Sequence, residues 1–64
     1  MLVHQFFGRG DFSDRAAFVF REKGEYVVMF VKDSAIISEV NLTGRSEQFA
    51  EDTAENWVLG GEAT

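Results

Sequence analysis

The sequence contains no cysteine and no proline. Without cysteine there is no disulfide and no thiolate metal site. Without proline no stiff linker or hinge is advertised. Histidine occurs once, as His4, which excludes sites built on a pair of histidines. The stretch Met1–Phe7 lacks the basic lead and long apolar core of a secretory leader. No apolar run approaches the ~20 residues of a membrane span. Basic residues are few: six Lys and Arg stand against eleven Asp and Glu, a formal net charge of -5. That balance argues against direct nucleic-acid binding, where Lys and Arg neutralise phosphates. It argues equally against an anionic membrane surface. A basic protein partner, or solubility alone, remains. The expectation is a cytoplasmic protein that touches neither nucleic acid nor membrane.

What is present is apolar and aromatic. Hydrophobic residues make up 45% of the chain and seven are phenylalanine, the opposite of a disordered composition. Residues 1–64 are read as a single small domain with no internal repeat. A chain of this length buries only roughly 60% of its unfolded surface, so its stability is marginal without help. With disulfides excluded and no metal site evident, the help left is self-association or a partner.

The pattern predicts an α+β fold. Leu2–Phe7 is a candidate edge strand, and Gly8-Arg9-Gly10-Asp11 a loop. Ala16–Glu22 alternates, and Glu25–Val31 is rich in β-forming residues. A two-residue turn at Lys23-Gly24 places Glu22 opposite Glu25 and Phe20 opposite Val27, with Phe18, Phe20, Val27 and Met29 on one face. A rival helix capped by Ser13 fits the Phe-Val-Phe run less well. Lys32-Asp33-Ser34 turns the chain into a third strand, Ala35–Leu42, with Ile36, Val40 and Leu42 on one side. The expected sheet is an antiparallel meander of three or four strands. Ser46–Leu59 reads as an amphipathic helix, with Ser46 as N-cap, Glu47 at the positive end and Gly60 as the stop. Phe49, Ala50, Thr53, Ala54, Trp57 and Val58 form its apolar stripe, with Gln48, Glu51, Asp52 and Glu55 opposite. Phe49 and Trp57 are expected to dominate the core. Glu62-Ala63-Thr64 is expected to fray.

One helix covers one face of a sheet, and here both faces are apolar. The helix is expected over the Phe18 face. Val19, Tyr26, Val28, Phe30 and Ile37 then form a surplus face, in place of the polar side an antiparallel sheet usually turns to water. Three coverings are open: the N-terminal segment with Phe6, Phe7 and Phe12, a second copy in a homodimer, or another protein.

No catalytic constellation is recognisable, so the chain is read as a non-enzyme. It has no nucleophile–base pair and no phosphate loop, and no cofactor, metal or small-molecule substrate is implied. Arg9-Gly10-Asp11 and Asn41-Leu42-Thr43 match adhesion and glycosylation patterns that require export, so neither carries weight. Tyr26 and Phe30 could stack on bases, but the basic surround for that is missing.

The segment Phe49–Gly60, with Ala-Glu-Asp followed by Ala-Glu-Asn-Trp and a glycine, resembles the C-terminal helix of small uncharacterised proteins from tailed bacteriophages of marine bacteria. The resemblance covers about a fifth of the chain and implies a context, a phage accessory protein made in the host cytoplasm, but no activity. The functional expectation is a small interaction module that binds a host or self partner through its apolar sheet face. The alternative is an acidic decoy whose helix carboxylates occupy a nucleic-acid-binding protein.

Overall fold

The computed structural model describes residues 1–62; Ala63 and Thr64, part of the segment expected to fray, lie outside the described residues. Four strands, β1 (Leu2–Phe7), β2 (Arg15–Glu22), β3 (Glu25–Lys32) and β4 (Ala35–Leu42), form one antiparallel sheet in the order β1-β2-β3-β4. Helix α1 (Glu47–Val58) packs on it. The α+β meander with a C-terminal helix is therefore the fold, and β1 is its fourth strand. A short 3-10 turn at Gly10–Phe12 carries the Arg-Gly-Asp segment between β1 and β2.

Two tight turns set the register. Lys23 and Gly24 both have positive φ (53° and 81°), as do Asp33 and Ser34 (53° and 67°). This is the type I′ geometry whose twist matches the strands on either side. Glu22 pairs with Glu25 and Phe20 with Val27, as the sequence predicts. The segment read alternatively as a helix forms strand over Arg15–Glu22, with Ser13, Asp14 and Lys23 in turns.

Two irregularities break the alternation. On β1 the pairing shifts between Leu2 (opposite Phe20) and His4 (opposite Val19), leaving Val3 as the extra residue. In an unbroken strand residues 2 and 4 share a face; this bulge divides them. On β4 the shift falls between Ser38 (opposite Phe30) and Ile36 (opposite Val31), leaving Ile37 as the extra residue. Ile36 thus lies on the face opposite Val40 and Leu42, which corrects the expected grouping of the three.

Helix α1 begins where expected. The Ser46 hydroxyl accepts from the Phe49 N–H at 3.1 Å, and Glu47 occupies the first turn. At the other end Gly60, with φ 105°, lets its N–H reach the Trp57 carbonyl at 3.1 Å, while the Gly61 N–H reaches Asn56 at 2.8 Å. A Cβ on Gly60 would strike the Phe12 ring, so glycine is needed there for space as well as for φ. Arg15 ties this end down. Its Nη1 donates to the Trp57 and Gly61 carbonyls at 2.9 and 2.8 Å. Its guanidinium lies over the Trp57 and Phe12 rings, 4.1 and 5.0 Å from their centroids.

The core lies between the helix and one sheet face: Ala17, Val19, Val28 and Phe30 from the sheet, Ala50, Ala54, Trp57 and Val58 from the helix. Phe30 and Trp57 meet edge to face with centroids 5.6 Å apart. The Trp57 indole N–H donates to the Val31 carbonyl at 3.3 Å. Phe49 departs from expectation: its side chain is 39% exposed, and the Arg45 guanidinium lies 4.8 Å from its ring centroid.

Candidate functional site

Helix α1 covers the opposite face of the sheet from the one predicted. Val19, Val28 and Phe30, expected on the surplus face, are fully buried beneath it. Tyr26 lies on the same side and packs against the core, with its hydroxyl on Glu47 at 3.2 Å. None of these four is on the open face. Ile37 is 49% exposed and sits in the β4 bulge. The reason is steric fit. The covered face is shallow at its centre, with Ala17 and β-branched Val19 and Val28, and the helix presents Ala50 and Ala54 to it. Small side chains on both sides let the backbones approach and leave a slot for the Trp57 ring. The Phe18 face carries Phe18, Phe20 and Met29 at its centre, and its small residue, Ala16, lies toward one end opposite Val31.

The open face is therefore that of Phe18, Phe20, Val27, Met29 and Val31, in the two central strands. Leu2 and Phe7 join it from β1, and Ile36 from β4. Phe7 and Ile36 are 62% and 59% exposed, and Phe7 meets Phe18 edge to face at 6.0 Å. β1 extends the sheet as an edge strand and does not fold across this face. Polar residues are confined to its borders. Gln5 pairs with Phe18 on one edge, and Glu39 and Asn41 pair with Met29 and Val27 on the other. Glu22 and Glu25 close one end. The charged residues that the register places on this face are thus all acidic. The Met1 ammonium bonds Glu22 at 3.0 Å, an exposed pair.

A second cluster lies across the sheet. The β1 bulge brings His4 to the helix side, beside the first turns of α1. Its Nε2 is 2.7 Å from Glu47 Oε2 and 3.5 Å from Glu51 Oε2. Hydrogen bonds from His4 and then Tyr26 hold the Glu47 carboxyl below the ordinary carboxylate value. Sequence reasoning missed this cluster. It placed Glu51 on the outer arc, whereas Glu51 turns toward His4. Of that arc, Gln48 bonds Asp52 at 3.0 Å, and Glu55 is exposed. The acidic stripe is correspondingly thinner than the sequence implied. An open groove at the junction of β1, the 3-10 turn and the helix end holds Arg9 and Glu55 but no nucleophile–base pair.

Among the described residues no helix is long and apolar enough to cross a membrane. No family model, curated protein or solved structure matches the chain.

Proposed function

We propose that this chain is a small, non-catalytic interaction module whose open sheet face seats another protein. The observation that carries the reading is the run of half-buried Phe18, Phe20, Val27 and Met29 across the two central strands, with no element packed over it and with exposed Leu2 and Phe7 on one edge strand and Ile36 on the other. Soluble chains rarely leave so continuous an apolar patch to water. The partner's chemistry follows from the border. Glu22, Glu25 and Glu39 call for an apolar contact surface ringed by Lys or Arg. A second copy carries the same acidic border, so the border favours a different, basic protein as the occupant. On the resemblance of its helix, the chain acts as a phage accessory protein in the host cytoplasm, and the partner is a host protein. The thinned stripe on α1 gives the acidic-decoy alternative no added support.

The test is site-specific photo-crosslinking, with p-benzoylphenylalanine incorporated at Met29 or, as a control, at Asp52 on the outer helix surface. Expected are adducts with one basic protein at position 29 alone, reduced by salt. Adducts of the chain with itself, or equal adducts at both positions, overturn the assignment.

A further inference from the structure

The second cluster lies on the other side of the sheet from the proposed docking face, and its donor atoms carry an inference of their own. We propose that His4, Glu47 and Glu51 form a site for a divalent first-row transition metal that fastens β1 to the first two turns of α1.

The donor set is one imidazole nitrogen and two carboxylate oxygens, and the three ligand atoms lie within 4.8 Å of one another. Imidazole with carboxylates suits zinc and its neighbours better than magnesium or calcium, which favour all-oxygen shells. The His4 Nε2 distances of 2.7 Å to Glu47 and 3.5 Å to Glu51 bracket the spacing an ion requires. Two ligands on a tetrahedral zinc with bonds of 2.0–2.1 Å are about 3.4 Å apart. A small opening of the His4–Glu47 contact therefore admits the ion, which replaces that hydrogen bond.

Three features build the site. Glu47 and Glu51 stand one helical turn apart and face the same way. His4 arrives from a different element, and the β1 bulge is what puts it on this side of the sheet. Tyr26 donates to Glu47 Oε1 at 3.2 Å, which leaves Oε2 for the ion and orients the carboxylate, as outer partners of metal ligands do. The helix N-terminus contributes about half a positive charge, which two carboxylates outweigh. The Met1 amine is held by the Arg21 carbonyl and Glu22 at 2.9 and 3.0 Å, so it is not part of the set. The protein supplies three ligands and water completes the shell, an arrangement with an open coordination position. A single histidine excludes a histidine-pair site, as the composition shows, but not a site that draws its other ligands from the helix.

The experiment is zinc titration of the tag-free chain by calorimetry, paired with thermal melts. Expected are one ion per chain, a melting temperature that rises with zinc, and at least about tenfold weaker binding in His4→Ala and Glu51→Gln. Asp52→Asn, on the outer surface of the same helix, should bind as the parent does. Cobalt(II) added to the unaltered isotope-labelled chain gives a readout that needs no substitution: paramagnetic broadening should centre on His4, Glu47 and Glu51. No saturable binding, equal affinity in His4→Ala, or broadening centred elsewhere overturns the site.

Discussion

The two faces of the sheet are made of similar amounts of apolar side chain and meet opposite fates. The face under the helix mixes sizes: Ala17, Val19 and Val28 around one large ring, Phe30. The other sets two large rings side by side at its centre, Phe18 and Phe20 against Met29 and Val27. Hydrophobicity alone does not choose between them. Relief does, because a helix studded with Ala50 and Ala54 and one projecting indole docks where it finds a recess. The closed face holds the fold, and no element of the described chain packs over the other.

The sharpest way to break this contrast is a pair of neighbouring substitutions. Val28→Asp buries an unpaired carboxylate under the helix, at a cost of several kcal/mol, comparable with the whole stability of a domain this small. It should abolish the cooperative melt. Val27→Asp, on the next residue but the opposite face, should leave a folded chain by circular dichroism. Equal damage from both would mean that the faces are not distinct. Next in size is a contrast along the helix. Trp57→Ala removes the buried indole and its contact with Phe30, and should cost about 3–5 kcal/mol. Phe49→Ala, at a half-open position, should cost about 1 kcal/mol or less in denaturant titration.

The smallest effect concerns pH. Glu47 titrates in the folded chain below its ordinary value of 4.5 because His4 and Tyr26 bond the carboxylate. A depressed folded value contributes stability that is fully present above the ordinary carboxylate range and is lost as pH falls through the folded value. The difference in melting temperature between the parent and Glu47→Gln should therefore shrink as pH falls below about 4.5. A difference that grew as pH fell below about 4.5 would refute the assigned cause.

Much of this fold is legible in the residues. Lys23-Gly24 and Lys32-Asp33-Ser34 mark the turns, and counting outward from the first gives the β2–β3 pairing directly. Ser46 and Gly60 bracket the helix. The alternation also sorts the side chains of the central hairpin into their two sets. It does not reveal which set the helix takes, since that depends on side-chain volumes in three dimensions. Residue size in the sequence gives no clear signal either, since the small residues Ala16 and Ala17 are adjacent and face opposite sides. The bulges at Val3 and Ile37 were hidden because an extra residue leaves no mark in a short strand. The His4 cluster was hidden with them, because His4 and Glu47 are 43 residues apart in sequence and meet only through the β1 bulge. Arg15 reads as an ordinary strand-end charge until the helix terminus is seen above it.

The bulges have a consequence for the chain in a crowded solution. Each lies on an outer strand, one at either border of the sheet. A straight border would offer a regular row of free amide and carbonyl groups on which a further molecule could template itself, the first step toward a filament. Here the row is interrupted on both sides. A protein with so much apolar surface on one face thereby presents no unbroken border on which a further strand could pair.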